Sequence, residues 1–115
     1  MSEELEMACF QIISSVGTAR SSYIEAIHKA KEGDFEGAEA CMEAGQKEFL
    51  AGHEAHFRLI QKESEGEAVG GYLLLIHAED QLMSAENFKI IAQEMIENYK
   101  KIAELEKKLE NSDRN

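Results

Sequence analysis

The sequence predicts an all-α protein, an up-down-up bundle of three long helices. The 115-residue chain has no proline. Ala, Glu, Lys and Leu, all strong helix formers, are abundant in it. Apolar residues recur at alternating three- and four-residue steps over long stretches, as in amphipathic helices. The pattern breaks at two places, Gly33-Asp34 and the polar, glycine-rich run from Ser64 to Gly71.

The first helix is expected over about 3–32. Leu5, Cys9, Ile12, Val16, Ala19, Tyr23, Ala26 and Ala30 form its apolar stripe. Gly33 suits a C-terminal cap and Asp34 suits the cap of the next helix. The second helix is expected over about 35–63, with Phe35, Ala38, Met42, Gly45, Phe49, Gly52, His56 and Leu59 on one side. The small residues of that stripe let a neighbouring helix come close. The third is expected over about 72–109, with a tail from Asn111 to Asn115 that frays. Short connections make sequential helices antiparallel neighbours. A chain of this length is expected to form one domain spanning 1–115.

The first half of the third helix carries more apolar surface than a three-helix protomer can cover. Copies of the same chain are the economical cover. Leu73, Ile76, Asp80, Met83, Asn87 and Ile90 follow heptad-like spacing, the pattern of a parallel self-associating seam. Spacing alone leaves dimer, trimer and tetramer open.

Charge narrows the partners. The formal net charge is −11, which disfavours nucleic acid and anionic lipid and favours a basic protein partner. No apolar run approaches the roughly 20 residues of a membrane span, and the start MSEELEMACF lacks signal-peptide features. These readings predict a cytoplasmic protein with no direct membrane insertion. Cys9 and Cys41, on different helices, fall roughly 25 Å apart in a hairpin turning near Gly33. That is too far for a disulfide, so buried, reduced thiols are expected.

The chemically loaded stretch is LLLIHAEDQLM, Leu73 to Met83. His77, Asp80, Gln81 and Ser84 share one side of the helix, where polar groups are costly unless paired or used. A neutral imidazole offers a lone pair that can accept a phosphoryl group, while its other nitrogen is held by a hydrogen bond. On spacing alone a single histidine on an apolar face is more often a satisfied core residue. If the helix forms the seam, Asp80 carboxylates converge and need a cation, a proton or water. Hard oxygen ligands favour Mg²⁺ or a similar ion. His56 precedes the second break by about as many residues as His77 follows it, so the two should be level, with His56 able to orient His77. His53 and His56 are more readily read as half-buried residues without a role, and His28 as a helix-end charge.

Three blocks carry a resemblance. GTARSSYIEAIHKAKEGDFEGAEACMEAG (17–45), HEAHFRLIQKE (53–63) and LLLIHAEDQLM (73–83) resemble the IIA components of the lactose/cellobiose (chitobiose) branch of the bacterial phosphotransferase system (PTS). The resemblance spans nearly the whole chain. It implies a homotrimer, a nine-helix bundle in all. It implies a phosphoryl carrier with His77 as the phosphorylated nucleophile and an axial carboxylate at Asp80 with which a divalent cation can be associated. The donor implied is phospho-HPr. The acceptor is a cysteine of the cognate IIB component, leading to a IIC permease. Gln81 stands where some relatives have a histidine, and Gly70-Gly71-Tyr72 is an unusual lead-in. Three other readings compete: a metal-binding helical bundle using His53, His56, His77 and acidic groups, a histidine-phosphotransfer signalling domain, and a structural coiled-coil adaptor.

Overall fold

The computed structural model describes residues 2–70 and 72–113. Three helices follow in order: α1 Glu3–Lys31, α2 Phe35–Ser64 and α3 Leu73–Asp113. They form an elongated body of 72 × 20 × 17 Å. α1 packs against both other helices, whereas α2 and α3 touch each other least.

Local chemistry sets the helix ends. The Ser2 side chain accepts a hydrogen bond from the Leu5 amide, 3.1 Å away, and caps α1. Glu3, Glu4 and Glu6 occupy the first turn of α1 and His28, Lys29 and Lys31 its last, the charge order that suits the helix dipole. α1 stops in a Schellman motif. Gly33 has φ +87°, its amide bonds the Ala30 carbonyl at 3.0 Å, and the Asp34 amide bonds the Lys29 carbonyl at 2.9 Å. Asp34 then caps α2 by accepting from the Gly37 amide. α2 ends in the same way at Gly66, φ +99°, with amide bonds from Gly66 to Glu63 and from Glu67 to Lys62.

The second break lies where the sequence marks it, and the expectation about the tail needs correction. Val69 sits only 8% exposed in the core, so the glycine-rich connection is anchored at that residue. α3 continues to Asp113, where the sequence reading ended the helix near Leu109 and frayed the tail from Asn111. Lys100 to Glu110 is rich in Lys, Glu and Leu, good helix formers, and no proline or glycine follows before Asp113 to stop the helix. Gly71, Arg114 and Asn115, which the reading placed in the loop and tail, lie outside the described residues.

The predicted α1 stripe is the core. Leu5, Cys9, Ile12, Val16, Ala19, Tyr23, Ala26 and Ala30 are all buried. The glycines of α2 give α1 room: a Cβ on Gly45 would lie 2.5 Å from the Tyr23 ring, and one on Gly52 2.7 Å from Val16. Gly45→Ala should therefore destabilise the protein by about 1–2 kcal/mol, overpacking outweighing the helix propensity gained. Gly17, with open space around it, is the control. Gly17→Ala should stabilise by about 0.5–1 kcal/mol in the same thermal melts. Equal effects at the two positions would contradict this packing.

Tyr23 is fully buried, and among the described residues its hydroxyl has no hydrogen-bond partner. Desolvation pushes that phenol above its ordinary pKa. Tyr23→Phe removes an unpaired polar atom while keeping the ring, so the melting temperature should hold or rise. A fall of several degrees would reveal a partner for the hydroxyl. Both cysteines are free thiols, Cys9 buried and Cys41 half-buried.

Candidate functional site

The site is built on the second turn of α3. His77 is the fifth residue of that helix and is exposed. Asp80 is exposed and Gln81 half-buried. At about 100° per residue, Asp80 lies about 60° from His77 around the helix, and Gln81 lies one turn above His77 on nearly its azimuth. Among the described residues no side chain of the chain hydrogen-bonds the His77 ring. The tautomer-fixing bond expected from the sequence is thus not made inside one protomer.

His56 is level with this turn but has another partner. Its Nε2 lies 2.8 Å from Oε2 of Glu79, a half-buried pair bridging α2 and α3. Glu79 is two residues from His77, about 200° around the helix. Within one chain, His77 and the His56–Glu79 pair therefore stand on opposite flanks of α3, with Asp80 between them. A shallow pocket beside the pair is lined by His56, Leu59, Glu63, Val69, Ile76 and Glu79. The sequence reading missed Glu79. Its only signal was a carboxylate in the same turn as His77, at a position facing α2.

The seam residues between the flanks are bare. Leu73 is 82% exposed, Ile76 57%, Met83 59% and Ile90 56%. Asp80 and Asn87, which interrupt them, are exposed as well. The predicted stripe is thus one continuous face that the protomer itself leaves uncovered. On α2, His53 is exposed and its ring stacks obliquely on Phe49, 6.1 Å between centroids. No group of three His, Cys, Asp or Glu side chains is placed to hold a metal ion among the described residues. The metal-bundle alternative built on His53, His56 and His77 thus finds no such group within one chain. No helix among them is long and apolar enough to cross a membrane.

Comparison with known proteins places this architecture. Residues 7–100 match the family model described as the lactose/cellobiose-specific IIA subunit of the PTS. The lichenan-specific phosphotransferase enzyme IIA component of Bacillus subtilis is 44% identical over 104 residues, covering 90% of this chain and 94% of the relative. The crystal structure of the cellobiose-specific enzyme IIA from Bacillus anthracis superposes with a TM-score of 0.86 at 38% identity, covering 90% of this chain and 94% of that one. The IIA(chitobiose)–HPr complex of Escherichia coli gives 0.71 at 31% identity, covering 89% and 99%. This chain belongs to the lactose/cellobiose-specific IIA family, sugar-specific components of the PTS. The matched region includes the whole LLLIHAEDQLM segment.

Proposed function

We propose that the protein is a phosphohistidine carrier in which His77 accepts a phosphoryl group from phospho-HPr and passes it to a cysteine of the cognate IIB component. The observation that carries this reading is an exposed imidazole on the second turn of α3, inside the family-matched segment, with no partner in its own chain among the described residues. A neutral ring nitrogen attacks phosphorus as the N–P bond of the donor breaks. The IIB thiolate then attacks, forming S–P and releasing His77 with its lone pair restored. In the E. coli relative a IIA component is seen bound to HPr, and the acidic surface here, net −11, suits a basic donor. The IIC permease stands downstream of IIB, and these exchanges belong to the cytoplasm. The phosphotransfer-signalling alternative differs in its donor, an aspartyl phosphate. The adaptor alternative predicts that His77 is dispensable.

The working form is a homotrimer, three protomers packed around one axis through the bare face of α3. Covering Leu73, Ile76, Met83 and Ile90 contributes on the order of 1–2 kcal/mol for each side chain buried. Three Asp80 carboxylates then converge in an apolar layer. Their oxygens suit a hard divalent cation such as Mg²⁺, which would neutralise their mutual repulsion. Cyclic symmetry turns the His77 flank of one copy toward the His56–Glu79 flank of the next. His56 then acts as a positioning residue from the neighbouring copy, with Gln81 beside the phosphoryl group.

The test of the carrier role is labelling from phosphoenolpyruvate through enzyme I and HPr. Acid-labile, base-stable label on this chain is expected. Label that appears only with an aspartyl-phosphate donor would sink the reading. For His56, the His56→Gln chain should keep its helicity and accept phosphoryl groups about tenfold or more slowly. Mixed with a His77→Gln chain, it should form trimers with one intact pairing, recovering part of the rate. No recovery in verified mixed trimers would remove His56 from the site.

A further inference from the structure

The family-matched region ends at residue 100, but α3 continues to Asp113. Ile102, with Glu106, lies beside the α1–α2 turn at Gly33. From Lys100 to Asp113 every residue except the half-buried Ala103 is exposed. This stretch is nevertheless patterned. Ile102, Leu105 and Leu109 are 46%, 59% and 66% exposed and recur at three- and four-residue steps. At about 100° per residue they share a sector of roughly 100° with Leu73, Ile76, Asp80, Met83, Asn87, Ile91 and Asn98. One inserted residue, which makes the step from Asn87 to Ile91 four residues instead of three, keeps the face continuous along the helix.

We infer that α3 beyond Lys100 forms a parallel, in-register coiled coil with the same segment of neighbouring copies, extending the self-association beyond the family-matched core. The inference rests on the trimer reading above, which supplies the nucleus. Isolated helices this short are marginal in water.

Charge selects a second copy and its direction. With Ile102 and Leu109 at heptad position a and Leu105 at d, Lys101 and Lys108 fall at g, and Glu106 and Asp113 at e. A parallel partner in register sets each g residue against the e residue five positions on. The pairs are Lys101 with Glu106 and Lys108 with Asp113, and both are attractive. An antiparallel partner would set lysine against lysine and carboxylate against carboxylate. The bare apolar face and the flanking charges thus specify the same occupant.

The experiment uses the full chain with Cys41→Ser, in which the remaining native cysteine, Cys9, is buried. Leu109→Cys and Lys107→Cys are compared under mild oxidation, and sedimentation reports the oligomer. Lys107 falls at the outward f position, so covalent dimers should form at least about fivefold more at Leu109→Cys, where paired Cα atoms come within disulfide reach. Reversing Lys101 and Lys108 to Glu should lower that yield about threefold, and adding Glu106→Lys and Asp113→Lys should restore it. Trimers with equal cross-linking at both positions would overturn the coiled coil and leave the trimer intact. Sedimentation as a monomer would overturn both. Unchanged yield on charge reversal would overturn the proposed register.

Discussion

The His77→Gln chain should accept no measurable phosphoryl group from phospho-HPr, a loss of at least about a thousandfold in rate, while its circular dichroism and melting stay close to those of the parent. The two halves of that expectation come from different observations. The loss follows because glutamine offers no ring nitrogen to attack phosphorus and no leaving group of suitable basicity for the second transfer. The preserved fold follows because His77 is exposed and bonded to no side chain among the described residues. Glutamine is also an ordinary helix former. Label retained by the variant would move the acceptor to another residue. Unfolding of the variant would mean that the histidine is a structural member of the bundle.

Asp80→Asn should have the second-largest effect, and its sign should depend on the cation. In chelator, convergent carboxylates repel one another in an apolar layer. Their neutral replacement should stabilise the trimer by about 1–4 kcal/mol, seen as a higher, protein-concentration-dependent melting temperature. In excess Mg²⁺ the parent should gain stability by mass action while the variant should not, narrowing or reversing the difference. The helix content of the separated protomer should not change, since Asp80 is exposed there. Identical melting of parent and variant, with and without cation and across protein concentrations, would remove Asp80 from the axis.

The α1 stripe and the stop at Gly33 were legible in the sequence because both are local. A 3.6-residue period and a glycine followed by aspartate carry their own structural meaning. The bare seam was legible for a related reason: α3 has apolar residues on more sides than two neighbours can cover. The partner of His56 was harder to read. Counting residues from the second break gave its level along the bundle, because rise per residue is nearly constant. It did not give the rotation of α3 about its own axis. That rotation is set by how Leu75, Ala78, Leu82 and Ala85 pack in the core, and it turns Glu79 toward α2. Val69 lies in the loop the sequence marked, but its burial was not legible, because a lone apolar residue among glycines has no periodicity to announce it.

The matching stops after α1 and α2 bear on how the molecule comes together. Each is written within about six residues and needs no distant contact, so each helix can end correctly while the chain is still extended. The short connections that follow make the first tertiary pairings cheap in loop-closure entropy. A protomer can then be complete before it meets another, and it meets that other with its greasiest helix face uncovered. Assembly becomes a race between finding sister chains and clumping, and the concentration of newly made protein decides the winner.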